Sequence, residues 1–313
     1  MNTAFRPSSA CRPRPGCSGR ANWCWSTAPS ARLSVWKEAN VRLAFSTLGC
    51  PGWSLEQVAT AVRTYGYEGV ELRLLDGEII PPDLDPTARA RIRQALAGIP
   101  IVVLGTSCRF NAPSRAERQA SEETARRYLA LARDLGAPAI RVFGGQPPAG
   151  VDLATVAGWV AESLARLAPE AERLGVRVLL ETHDAFSAGE TVGRVLRQVD
   201  SPWVGALWDI RHPFRTGEPV AATLAALEGF LHHVHVGDGR RRPDGGWETT
   251  LLGEGEVPVR EMLRALASRG YQGYLSVEWE KKWHPEIPEP EVALPQHARV
   301  LRAYLQEITP PAG

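Results

Sequence analysis

Four strand-like runs in the 313-residue sequence stop on side chains that bind cations. "VRVLLE" ends on Glu181, "WVGALWD" on Asp209, "LHHVH" on His235 and "GYLSVE" on Glu278. A buried strand has no use for a carboxylate unless something at its end compensates the charge. Singly, each residue has an ordinary reading: a solvated loop residue, an ion-pair partner, a helix cap or a hydrogen-bonded core histidine. Gathered into one small volume, three carboxylates would raise one another's pKa unless a cation lay between them. One divalent ion with oxygen and nitrogen ligands answers that need, and Mn, Mg, Co and Zn all accept such a set. An ion of this kind holds a hydroxy-ketone through two oxygens and stabilises the enediolate formed when the neighbouring carbon loses its proton. Glu181 and Glu278, the outer members of the set, are the candidate catalytic acid and base. Proton removal by one and delivery by the other gives epimerisation. Return to the adjacent carbon gives isomerisation, and loss of a β-hydroxyl gives dehydration.

Such convergence requires strands whose ends meet. From Arg42 onward, short apolar runs alternate with amphipathic stretches. "RLAFSTLG" is followed by "SLEQVATAVRTYG", where Ser54 and Gln57 spell a capping box and Leu55, Val58, Ala59 and Val62 form a helical stripe. The rhythm repeats through "GVELRLL", "IPIVVLGTS", "AIRVFGG", "VRVLLETHD", "WVGALWDIRHP", "LHHVHVGDG" and "GYLSVEWE". Helices are expected near Pro86–Leu96, Pro219–Leu227, Val257–Ser268 and Glu291–Leu305, among others. Eight strand–helix units predict a single-domain α/β (β/α)8 TIM barrel over residues 41–309, with its active site at the C-terminal strand ends. An open doubly wound sheet is disfavoured, because no Gly-x-Gly-x-x-Gly follows a strand.

Composition narrows the field further. Residues 1–41 carry six basic side chains and one acid, so the net +1 of the whole chain leaves −4 for the remainder. A mildly acidic body argues against a nucleic-acid partner. Cys11, Cys17, Cys24, Cys50 and Cys108 form no C-x-x-C pair, which fits a reducing, cytoplasmic setting. No apolar run reaches the length of a membrane span, and no membrane association is expected. Residues 1–40, rich in Ser, Pro, Arg and Ala, are read as a disordered extension or a misassigned start.

"LLETHD", "WDIRHP", "HVHVGD" and "SVEWE", in that order, resemble the xylose isomerase-like barrels, which include sugar (phosphate) isomerases and epimerases, inosose dehydratase and endonuclease IV. The resemblance covers about residues 42–305. It implies that Glu181, Asp209, His235 and Glu278 are metal ligands, that His212 and Arg241 contact substrate, and that the chain works on a sugar or sugar phosphate as a homodimer or homotetramer. One departure stands out: ketose 3-epimerases of this family carry a second glutamate six residues after the first metal-binding one, and here that position is Ser187.

Further side chains are candidates to shape the pocket. By strand parity His183 shares a side with Glu181, and His233 with His235. Each is a proton shuttle, a supporting residue or simply packed. Glu71 and Arg73 share a face and are read as hydroxyl contacts or as an ion pair; Arg141 is similar. Arg240, Arg241 and Arg242, with Trp247, mark either a lid bearing a phosphate clamp or a solvated basic hairpin. Past Glu278 come Lys281, Trp283 and His284, of which Trp283 is a candidate sugar-stacking ring. Two other classes compete: an endonuclease IV-like nuclease, which would need further histidines from early strands, and a non-catalytic sugar-binding barrel.

Overall fold

The computed structural model describes residues 41–308, so the expectations for residues 1–40 and 309 lie outside the described residues. The first half runs β1 (Arg42–Ser46), α1 (Leu55–Tyr65), β2 (Gly69–Leu72), β3 (Leu74–Leu75), β4 (Glu78–Ile79), α2 (Pro86–Ala95), β5 (Ile101–Arg109), α3 (Arg115–Leu135), β6 (Ala139–Phe143) and α4 (Leu153–Leu174). The second continues β7 (Arg177–Glu181), α5 (Gly189–Val199), β8 (Val204–Asp209), α6 (Arg211–Arg215), α7 (Val220–Ala226) and β9 (Leu231–Val236). It closes with β10 (Asp238–Arg241), β11 (Trp247–Thr250), α8 (Val259–Ser268), β12 (Tyr274–Val277) and α9 (Pro290–Ile308).

Strands β1, β2, β5, β6, β7, β8, β9 and β12 close into one barrel in that order, and every neighbouring pair is parallel. The expected eight-unit barrel is therefore present. Local chemistry explains its helices. Ser54 and Gln57 form the reciprocal capping box at the start of α1, and Asp152 accepts from the Thr155 N–H at the start of α4. Helices α1, α3 and α4 stop at Gly66, Gly136 and Gly175, each in the left-handed conformation that a Cβ disfavours. Two small elements were not foreseen, the β3–β4 hairpin and the one-turn α6 directly after β8, while the β10–β11 hairpin after β9 matches the hairpin reading of the arginine-rich segment.

Alternation along the strands decides what faces the interior. Val178 and Leu180 of β7, Ala206 and Trp208 of β8, and Val234 and Val236 of β9 belong to the large core packed beneath the helices. Their neighbours point inward. Val103, Ala139, Leu179 and Leu207 make a small separate apolar layer inside the barrel. The next inward positions are Arg141, Glu181, Asp209, His235 and Glu278, all buried. The apolar layer floors the barrel, and the polar one lies toward the C-terminal ends.

Behind β12, His297 of α9 sits wholly buried, its ring edge-on to Trp279 at 5.2 Å between centroids. Its Nδ1 donates to the Ala293 carbonyl at 2.7 Å, while Nε2 has no partner. Burial holds its pKa down to about 4. The unfolded chain therefore takes up a proton near the ordinary pKa of about 6.5 while the native protein does not. This contribution to stability is complete above about pH 6.5 and declines as the pH falls toward 4, by roughly 3 kcal/mol in total. His297→Phe is expected to flatten that part of the stability curve; denaturant titrations at pH 7, 6, 5 and 4 measure it, and parallel wild-type and variant curves would contradict the assignment.

Candidate metal centre

The four residues singled out by strand-end position meet. Glu181, Asp209, His235 and Glu278 each offer a ligand atom, and these atoms lie within 4.8 Å of one another. Barrel register produces the meeting. Asp209 and His235 are cross-strand partners, and His235 pairs on its other side with Ser276, two residues before Glu278.

His235 is the hinge of the arrangement. Its Nε2 lies 2.8 Å from Glu71 Oε2, and its Nδ1 lies 3.2 Å from Glu181 Oε1 and 3.4 Å from Glu278 Oε1. Burial alone would favour a protonated Glu71, but the adjacent His235 and His233 outweigh it and hold the carboxyl well below the usual range. An ionised Glu71 can only accept, so Nε2–H donates to it and Nδ1 faces the other carboxylates. In the absence of an ion, burial opposes a charge on His235, yet Glu278 and Glu71 outweigh it and raise its pKa well above the ordinary imidazole value.

Burial likewise works against charge on Glu181, but the Arg141 guanidinium and His235 bring its pKa down to about 2. Arg141 Nε stands 3.2 Å from Glu181 Oε2. Asp209 is lowered further still: burial opposes ionisation, and Arg211 and His212 overcome it. Glu278 goes the other way, raised by burial in spite of His235 and Arg211. Five buried or half-buried carboxylates (Glu71, Glu181, Asp209, Glu278 and Glu280) thus converge on Arg141, Arg211 and His235, with buried Arg73 also close to Glu71 and Glu278. Glu181 Oε2 and Glu71 Oε1 receive no hydrogen bond although both are buried. The residues fit a divalent cation: converging carboxylates, an imidazole nitrogen turned toward their oxygens, and two buried carboxylate oxygens that accept no hydrogen bond.

The remaining expectations fare unevenly. His183 and His212 stand beside the centre, rings edge-to-face at 4.4 Å, with Phe143 behind His183 at 4.7 Å. His212 Nε2 is 3.6 Å from Asp209 Oδ2, and burial pulls its pKa down to about 4, so it is neutral near pH 7. His183 is raised instead: burial resists, but Asp184 at 3.1 Å and Glu181 prevail. His233 lies 3.3 Å from Glu71 Oε2, below His235. Glu71 itself is fully buried among His233, His235 and Ser276, which makes it a support of His235 rather than an open hydroxyl contact. The expected Glu71–Arg73 ion pair is not formed; Arg73 donates to the Gly105 carbonyl and to Ser107 Oγ.

The basic segment after β9 is an antiparallel hairpin. Arg240 pairs with Glu248 and Arg242 with Asp244, while Arg241 lies exposed over Trp247 at 5.7 Å. The Trp247 ring packs against Phe214 at 5.9 Å, tying the hairpin to α6. Two of the three arginines are thus already paired, which favours the hairpin reading of this segment over the phosphate clamp. Trp283 is 48% exposed, His284 pairs with Glu286, and Lys281 is held by the Pro285 and Ile287 carbonyls at 2.6 Å each. That segment braces its own turn.

Three residues escaped the sequence reading. Arg211 and Glu280 join the centre, Arg211 with both oxygens of Asp209. Asp238 gathers four backbone N–H groups of the following loop. Arg211 lies past the end of β8 in α6, where strand alternation gives no signal.

Fold and centre together define a (β/α)8 barrel with a carboxylate–histidine cluster at its C-terminal mouth. The xylose isomerase-like TIM barrel family model matches residues 59–304, and the chain belongs to that family. Fructoselysine 3-epimerase of Escherichia coli O157:H7 is 32% identical over 156 residues, covering 48% of this chain and 54% of that protein. The chain spans about half the length of the curated relatives it matches. Among solved structures, L-ribulose 3-epimerase superposes with a TM-score of 0.70 at 19% identity, over 86% of this chain and 95% of that one. The IolI protein with a bound zinc atom gives 0.71 at 18%, over 85% and 99%. Both likenesses establish the shared fold. No helix among the described residues is long and apolar enough to cross a membrane.

Proposed function

We propose that the chain is a divalent-metal-dependent isomerase or epimerase of a sugar or sugar phosphate. The observation that carries the reading is the approach of Glu181, Asp209, His235 and Glu278 to within 4.8 Å, with Nδ1 of His235 turned toward the carboxylates. The sugar epimerases among its relatives and the zinc of the IolI protein support it. When bound, a divalent ion would polarise the substrate carbonyl and offset the negative charge left by proton removal.

The chain's own residues do the rest. Glu181 and Glu278 approach His235 Nδ1 from two sides, at 3.2 and 3.4 Å, so one removes the proton beside the carbonyl and the other returns it. Neutral His212 offers a hydrogen bond to a substrate hydroxyl, and His183, held by Asp184, orients another. Arg141 keeps Glu181 ionised. Glu71 fixes the His235 tautomer, as a carboxylate behind a ligand histidine does. Glu71→Gln is expected to weaken binding of Mn2+ by about 10–100-fold while the protein stays folded. Calorimetric titration of the two proteins measures it, and equal affinities would count against this role.

The function itself is tested by incubating the Mn2+-loaded protein with a panel of ketoses, aldoses and their phosphates in D2O. Deuterium incorporated at a carbon next to the carbonyl, abolished by EDTA and restored by Mn2+, is the expected result. Sugar binding without exchange for every compound, and unaffected by EDTA, would favour the non-catalytic barrel instead.

A further inference from the structure

Arg211 is 1% exposed, and its guanidinium is enclosed by acids. Nε and Nη2 clasp Asp209 at 3.2 Å to Oδ1 and 2.6 Å to Oδ2. Nη2 also reaches Glu278 Oε2 at 2.8 Å, and Nη1 reaches Glu280 Oε2 at 3.0 Å. The Arg211 backbone N–H adds a bond to Asp209 Oδ1 at 2.8 Å. One side chain therefore serves two of the four cluster residues. Room for it is provided at the end of β9, where a Cβ on Gly237 would come within 3.0 Å of Arg211 Cδ and 3.1 Å of its Nε.

A guanidinium so placed carries a permanent charge, since arginine does not lose its proton in proteins. It draws on the same carboxylates that would bind an ion, and it repels that ion across a few ångströms of buried space. In the ion-free protein it does the opposite service, sparing Asp209 and Glu278 the cost of facing one another unpaired. Glu278 shows the division: Oε2 belongs to Arg211, while Oε1 is turned to His235 Nδ1.

We propose that Arg211 is an internal counter-cation that keeps the acid cluster folded without metal and holds its metal affinity down, so that the ion exchanges. The proposal rests on the metal-binding reading of this centre. Arg211 acts through Asp209 and Glu278 and is a positioning residue, distinct from the groups that handle the proton.

The test uses the full chain stripped with EDTA and titrated with Mn2+ by calorimetry, with melting temperatures recorded with and without the ion. Arg211→Gln is expected to bind Mn2+ at least about tenfold tighter than wild type, to melt lower when stripped, and to gain more from saturating Mn2+. Arg211→Lys, which keeps the charge, is expected to stay within about threefold of wild type. An Arg211→Gln protein that binds Mn2+ equally or more weakly overturns the proposal. Should that variant fail to fold even with Mn2+, Arg211→Lys decides alone: binding about tenfold weaker than wild type means the forked geometry matters and the charge does not. Wild type that binds no Mn2+ removes the metal reading itself, an outcome distinct from any failure specific to Arg211.

Discussion

Replacing Glu181 and Glu278 together by glutamine is expected to lower kcat by on the order of 10³–10⁴. Both carboxylates flank His235 Nδ1, and both are assigned to proton transfer and to the ion. Glutamine keeps their size, and at position 278 it can still accept from Arg211, so packing is conserved. Neutralising Glu278, whose charge burial already disfavours, relieves repulsion, whereas neutralising Glu181 leaves the buried Arg141 without its partner charge. The double variant should therefore stay folded but melt below stripped wild type, while losing activity. Steady-state kinetics on any sugar that shows exchange, alongside a thermal melt, separates chemistry from folding. A variant that keeps a tenth or more of wild-type turnover would remove these two residues from the mechanism.

The second large effect concerns Asp238, whose role is architectural. Its Oδ1 accepts from Gly239 N at 2.8 Å and Val257 N at 3.1 Å, and its Oδ2 from Gly253 N at 2.8 Å and Gly255 N at 3.1 Å. A single buried carboxylate thereby organises the return from the β10–β11 hairpin to α8. Gly255 has no alternative, because a Cβ there would lie 2.1 Å from Asp238 Oδ1. Asp238→Ala leaves four N–H groups without an acceptor, two of them on buried residues. The expected loss is on the order of 4 kcal/mol, or roughly 10 °C in melting temperature for a chain of this size. Asn, which keeps one acceptor oxygen and the shape, should cost less. A melt of Asp238→Ala within about 2 °C of wild type would show that the loop satisfies these groups in another way.

The barrel was legible because strand and helix periods alternate cleanly from Arg42 onward, and helices α1 and α4 carry their caps in plain view at Ser54 and Asp152. The cluster was legible for a related reason. In a closed parallel barrel every strand delivers its last inward residue to the same end, so Glu181, Asp209, His235 and Glu278 needed only position and parity to be gathered. Height along the barrel axis was harder to read. Glu71 shares the inward face, but β2 is staggered so that its carboxylate meets the far nitrogen of His235 instead of the opening. Residues past a strand end escape the alternation rule altogether. Arg211 turns back onto Asp209 through the one-turn α6, and Glu280 reaches it from the segment after β12, a convergence with no local signature. Arginine runs are similarly opaque: "GRRRPDGG" reads equally as a phosphate clamp or a solvated hairpin until cross-strand Glu248 and turn residue Asp244 are seen to pair with two of the three.

One divalent ion held by Glu181, Asp209, His235 and Glu278 is what the proposed function requires. Elemental analysis of the wild-type protein after equilibration with Mn2+ and removal of the excess, set against the Glu181→Gln/Glu278→Gln protein treated identically, tests it directly. About one ion per wild-type chain and close to none in the variant is the predicted result. Equal metal in both proteins, or none in either under metal-replete conditions, would contradict it.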